Sequence, residues 1–131
     1  MKVLITGSNG FIGRWVVERL EQEGHDTIGL DRTERIAPAR GHVVCCDLLD
    51  RQQRESAFVQ TRPDAVVHLA ARVNLQETRE LAGYGANIDG VRNLIKAIRA
   101  AGSVRRAIHT SSQSELRARP IPSLPLSLPG C

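Results

Sequence analysis

Residues 3–13 read Val3-Leu4-Ile5-Thr6-Gly7-Ser8-Asn9-Gly10-Phe11-Ile12-Gly13, a short apolar run that breaks into three glycines spaced three apart. An apolar run without polar alternation belongs to a strand buried on both faces, as in a parallel sheet covered by helices. Beyond the turn, Ile12, Val16 and Leu20, with Trp15 and Val17, recur at helical spacing until Gly24, so a helix is expected over residues 10–23. Strand, glycine turn and helix follow one another without a spacer. In that setting Gly7 permits the tight turn, Gly10 lets backbone approach a pyrophosphate, and Gly13 lets the helix pack against the strand. The helix N-terminus offers its unpaired amides and the positive end of its dipole to the phosphates. Gly7, Asn9, Gly10, Phe11, Ile12 and Gly13 are therefore read as contacts to a dinucleotide.

Working outward, Thr27 to Leu30 form a second strand closed by Asp31, and Val43 to Cys46 a third closed by Asp47. An acid at the end of the second strand can accept hydrogen bonds from both hydroxyls of the adenine ribose and repels a 2′-phosphate, which favours NAD over NADP. Arg32, adjacent to it, is counted among the cofactor contacts and keeps NADP as the second choice. A short helix is expected over residues 50–60, and a fourth strand over Ala65-Val66-Val67-His68-Leu69 after Pro63-Asp64. A long helical stretch then runs over residues 75–101, interrupted by Gly83 and Gly85, with an apolar face at Val91, Leu94, Ile95 and Ile98. Ala107-Ile108-His109 make a fifth strand leading into Thr110-Ser111-Ser112.

Strands alternating with helices predict an α/β fold, a doubly wound parallel sheet of Rossmann type with five strands in the order 3-2-1-4-5. The dinucleotide-binding domain is placed at residues 1–115. Over residues 116–131, Pro120, Pro122, Pro125 and Pro129 interrupt serine and leucine too often for helix or central strand, so an irregular tail is expected.

The composition, 41% hydrophobic and 24% charged, is that of a globular domain. The net charge of +4 comes from dispersed arginines, with Lys2 and Lys96 the only lysines, which is too sparse for a nucleic-acid footprint. Three cysteines make neither a disulfide framework nor a zinc motif, and no metal site is expected. Cys45 and Cys46 read as small buried hydrophobes. With no signal-peptide core and no membrane-length apolar stretch, a cytoplasmic protein is expected.

Over residues 1–112 the chain resembles the extended short-chain dehydrogenase/reductase family, the NAD-dependent epimerases and dehydratases of nucleotide sugars and related substrates. The resemblance rests on the glycine turn, Asp31, Asp47-Leu48, His68-Leu69-Ala70-Ala71, Asn87-Ile88-Asp89-Gly90 with Asn93-Leu94, and Thr110-Ser111-Ser112, all in order. It implies that Asp47 contacts the adenine amino group, that Leu48 lines the adenine pocket, and that Leu69, Ala70 and Ala71 pass beside the cofactor. It further implies that Asn87 supports the site and that Ser112, with Ser111 as its rival, is the catalytic serine orienting a substrate hydroxyl or carbonyl. His68 and His109 read as structural residues, and the helix over 87–101 is a candidate homodimer face.

The same resemblance implies a tyrosine after Ser112 and a lysine four residues beyond it, to exchange the substrate proton and bind the nicotinamide ribose. The only tyrosine, Tyr84, precedes Ser112, and Ile88 stands four residues after it. The expectation is a truncated or frame-shifted relative that binds NAD. A non-catalytic dinucleotide-binding module and an inactive fragment are the alternatives. A sheet ending at strand five would leave that strand's edge exposed.

Overall fold

The computed structural model describes residues 1–34, 41–71 and 85–111. The expected helix over residues 75–84, Ser112 and the proline-rich tail lie outside them. The elements are β1 (Lys2–Thr6), α1 (Phe11–Gln22), β2 (Asp26–Asp31), β3 (His42–Cys45), α2 (Arg51–Thr61), β4 (Ala65–His68), α3 (Gly85–Ala101) and β5 (Arg106–His109). All strand pairs are parallel, in the order β3-β2-β1-β4-β5, which is the predicted topology.

Parallel neighbours need crossovers, and the helices that make them cover both faces of the sheet. Successive strand residues point to opposite faces, so β1 feeds two cores. Leu4 joins Leu30, Val66, Phe58, Leu94 and Ala97 beneath α2 and α3, whereas Val3 and Ile5 join Ala65 and Val17 of α1. Residues Val3 through Thr6 are all buried, which is why this strand carries no polar alternation. Register sets Thr6 beside Leu30 on one side and His68 on the other. The loops after β1, β2, β3 and β4 therefore open at one end of the sheet, where α/β folds bind ligands.

Several expectations need correction. Ile12 and Trp15 are exposed rather than part of the core face of α1, whose fully buried residues are Gly13 and Val17. The turn draws Gly13 inward, so the buried stripe runs through Gly13 and Val17 and leaves Ile12 outside it. In α3 the buried stripe is Gly90, Leu94 and Ala97; Ile95, one residue off that stripe, is exposed. The described part of this helix starts at Gly85, and Gly83 lies outside the described residues. Cys46 is buried but Cys45 is exposed, because β3 is an edge strand with only one covered face at that point. β5 is exposed along its whole length, with Ile108 open to solvent.

Among the described residues Phe58 is the bulkiest fully buried side chain, and it joins α2 to the sheet. Truncation to alanine removes its transfer free energy and leaves a cavity. Phe58→Ala is expected to lower unfolding stability by about 3–5 kcal/mol, read from urea denaturation followed by far-ultraviolet circular dichroism.

Candidate cofactor site

The site begins with the turn after β1. Gly7 has φ +70°, a left-handed conformation, and a β-carbon there would stand 2.9 Å from both N and Cα of Ala70. A β-carbon on Gly13 would overlap the Gly7 carbonyl and come within 2.8 Å of Ser8 Cα. Glycine is thus required at Gly7 for conformation and at Gly13 for the approach of α1 to the turn. The turn is held by Gly7 N–H donating to Leu30 O at 2.8 Å and Gly10 N–H donating to Gly7 O at 3.1 Å. At Gly10 no side chain caps α1, and no acidic residue lies in its first turn. The first amides of α1 and the positive dipole end consequently remain available to an anion.

Asp31 at the end of β2 is oriented from three directions. Asn9 N–H donates to Oδ2 at 3.0 Å, Arg32 N–H donates to Oδ1 at 2.8 Å, and Thr33 Oγ1 lies 3.5 Å from Oδ1. The Asn9 side-chain amide also donates to Thr33 O at 2.7 Å, tying the loop after β2 onto the glycine turn. A carboxylate accepts only, and one fixed this way can receive the two hydroxyls of a ribose.

Beyond β3, Asp47 turns the chain back toward α2. Its Oδ1 accepts from Leu49 N–H at 2.9 Å, while its own N–H donates to Gln53 Oε1 at 3.0 Å. Leu48 is buried behind it, and burial pushes the neighbouring Cys46 thiol up to about 11. That thiol is therefore protonated at neutral pH and lines the site as an apolar group.

On the other side, Thr6 Oγ1 accepts from Leu69 N–H and Ala70 N–H, each at 3.2 Å, and lies 2.6 Å from His68 Nδ1. With both acceptor sites of the hydroxyl taken, its single proton goes to Nδ1. That makes Nδ1 the bare nitrogen and Nε2 the protonated one of a neutral ring. Burial, reinforced by the stacked His109 ring at 5.1 Å, holds the His68 pKa down at about 4. The His68 carbonyl accepts from Thr110 Oγ1 at 2.9 Å, so His68 links the Leu69–Ala70 wall to the end of β5. His68 is accordingly structural, as the sequence suggests.

These elements enclose a cavity of about 950 Å³. Gly7, Asn9, Gly10, Phe11, Ile12 and Gly13 line it from the turn and the start of α1; Asp31 and Arg32 from the end of β2 and the loop after it; Asp47 and Leu48 from the loop after β3; Leu69, Ala70 and Ala71 from the loop after β4; and Asn87 from α3. Every expected cofactor contact thus borders one space. Thr33, Cys46, Leu49, Ala86 and Gly90 also line it and were not anticipated. Gly90 could have been found from its spacing of three from Asn87, which places both on one helix face. Thr33 carries no periodic signal. Among the described residues, no cluster of three or more His, Cys, Asp or Glu could hold a metal. No helix there is long and apolar enough to cross a membrane.

The sequence profile of the NAD dependent epimerase/dehydratase family matches residues 3–123. The chain belongs to this family. It is 33% identical to a UDP-glucose 4-epimerase of Mycolicibacterium smegmatis over 97% of its length and 43% of that protein's. It is 37% identical to a 3-diazoavenalumate denitrifying reductase of Streptomyces over 80% of its length and 36% of that protein's. Among solved structures it superposes on the Thermus thermophilus UDP-glucose 4-epimerase complex with NAD, with a TM-score of 0.71 and 34% identity over 79% of this chain and 35% of that one. The Thermotoga maritima UDP-glucose 4-epimerase with UDP-glucose gives a TM-score of 0.77 and 30% identity over 86% of this chain and 38% of that one. The chain therefore spans well under half the length of these relatives.

The family fold makes the His68 contact testable. Because the folded pKa lies near 4 and the unfolded one near 6.5, the unfolded state binds more protons between those values. The His68 contribution is fully present above about pH 6.5 and is lost as pH falls toward about 4. Unfolding free energy is expected to drop by on the order of 3 kcal/mol across that window, and His68→Asn to flatten the drop. Identical pH slopes for the two proteins in urea titrations would refute this account.

Proposed function

We propose that this chain supplies the NAD-binding part of an NAD-dependent epimerase- or dehydratase-type oxidoreductase acting on a hydroxyl or keto group of a nucleotide sugar or similar small molecule. The carrying observation is the convergence on one cavity of an uncapped helix N-terminus and the Asp31 carboxylate locked by Asn9 and Arg32. The first would bind the pyrophosphate, with Gly7, Gly10 and Gly13 allowing the approach and Phe11 and Ile12 supplying amides. The second would bind the adenine ribose diol, with Arg32 at its flank. Asp47 would accept from the adenine amino group over Leu48, and Leu69, Ala70, Ala71 and Asn87 would wall the remainder. Bound there, the nicotinamide ring supplies a hydride acceptor. Solved relatives carrying NAD support the choice of cofactor.

Ser112 is proposed to orient the substrate oxygen. A second reading is a dinucleotide-binding module without turnover, in which the glycine turn and Asp31 keep their roles and Ser112 has none. Titration calorimetry with NAD and NADP, alongside cofactor-reduction assays over a panel of sugar nucleotides, separates the two readings. NAD is expected to bind more tightly than NADP. Asp31→Asn is expected to weaken NAD by about tenfold and to leave NADP unchanged or improved. Equal affinities for the two dinucleotides, or no binding of either, would sink the proposal.

A homodimer through the outer face of α3 is proposed as well. Ile88 and Ile95 stand two turns apart there and are 46% and 44% exposed. Sedimentation velocity is expected to show a dimer that Ile95→Glu dissociates. A wild-type monomer at high concentration would count against it.

A further inference from the structure

Arg54 is buried, only 5% exposed, in the first turns of α2. A guanidinium placed there is unfavourable twice over. It is withdrawn from water, and it stands near the positive end of a helix dipole. Buried cations are ordinarily paired, yet the ion pairs among the described residues, Arg19–Glu23, Arg51–Glu55 and Arg92–Asp89, do not include it. Its Nε is buried without a hydrogen-bond partner. The side-chain hydrogen bond that it makes is from Nη1 to Leu48 O, at 2.6 Å.

That carbonyl is a junction. Asn93 Nδ2, reaching from α3, donates to the same oxygen at 3.3 Å. A carbonyl has two lone pairs, and here α2 takes one and α3 the other. The residue before it is Asp47, whose carboxylate is turned by Leu49 N–H and whose backbone is held by Gln53. Asp47, Leu48 and Leu49 all line the cavity; Arg54 does not. Arg54 thus grips the turn from behind, at the point where the chain reverses to present Asp47.

We propose that Arg54 is a positioning residue for the purine end of the site: through the Leu48 carbonyl, with Asn93, it holds the Asp47 carboxylate where a purine amino group is received. The proposal rests on the reading of the cavity as a dinucleotide site. A charged donor makes a stronger hydrogen bond to that carbonyl than a neutral one would.

The readout is recognition of the amino group rather than stability. NAD and its deaminated analogue, nicotinamide hypoxanthine dinucleotide, differ at purine position 6, where an amino group is replaced by a carbonyl oxygen. A carboxylate placed there accepts from the first and repels the second. Dissociation constants for both are measured on wild-type protein, Arg54→Leu, Arg54→Lys and Asn93→Ala, each checked for cooperative melting. Wild type is expected to prefer NAD. Arg54→Leu is expected to weaken NAD by about tenfold while barely changing the analogue, so that the preference collapses. Lysine is expected to restore most of it, and Asn93→Ala to lose part of it.

Equal weakening of both ligands by Arg54→Leu, or an undiminished preference, overturns the assignment. If Arg54→Leu does not fold, Arg54→Lys and Asn93→Ala decide, since an unchanged preference in Asn93→Ala refutes the shared junction. A wild-type protein that binds both dinucleotides equally overturns amino-group recognition while leaving the dinucleotide site standing. A wild-type protein that binds neither overturns the dinucleotide reading itself.

Discussion

At the cofactor end of the sheet, backbone passes closer to backbone than any β-carbon would allow, and the arrangement of the cavity depends on that approach. Gly7 lies against Ala70, and α1 at Gly13 lies against the Gly7 carbonyl. With the loop after β4 drawn onto the turn, Thr6 Oγ1 comes within reach of both Leu69 and Ala70 N–H groups. With α1 drawn onto the turn, its first amides open toward the cavity instead of into solvent. Each consequence is a hydrogen-bonding one, but both follow from a steric cause.

The polar groups buried around this contact, Ser8 Oγ apart, are paired in an ordered way. Buried donors and acceptors are costly unless paired, and here the pairing runs along the cavity wall. Thr6 links β1 to the loop after β4, and His68 extends that link to β5 through Thr110. On the opposite wall the Leu48 carbonyl joins α2 to α3. Asn9 closes the third side by gripping both Asp31 and Thr33. The loops that form the site are thus fixed by side chains that stand behind or between the lining residues. A loop with few pairings of its own acquires a defined shape this way.

Much of this was legible in the sequence, and what escaped has a physical pattern. Glycine spacing, the apolar run of β1 and the acid ending β2 are local signals, and together they specify the topology and much of the cavity lining. The exposure of Ile12, Trp15 and Ile95 escaped because apolar periodicity fixes a stripe only to within a residue or so, and the stripe in α1 is set by Gly13, which has no side chain to count. Cys45 was misread because adjacency to an apolar run says nothing about which face of an edge strand is covered. Arg54 and Thr33 escaped for a different reason. Their roles depend on carbonyls and carboxylates brought near by the fold, and no spacing rule announces a hydrogen bond to a backbone oxygen. Ser112 falls outside the described residues.

Burial grades across the sheet in a way that bears on the site. β1, β2 and β4 form the buried centre, whereas β3 is half covered and β5 exposed throughout. The glycine turn, Asp31 and the Leu69–Ala71 wall all emerge from the three central strands. The Asp47–Leu49 turn, by contrast, emerges from edge strand β3, and it is there that two extra donors from the helices are recruited to one carbonyl. Local opening is easiest where fewest apolar contacts must be broken, so an edge turn needs more tethering than a central one to present a side chain with equal accuracy. The buried, electrostatically costly Arg54 is found behind the turn of an edge strand that is only half covered.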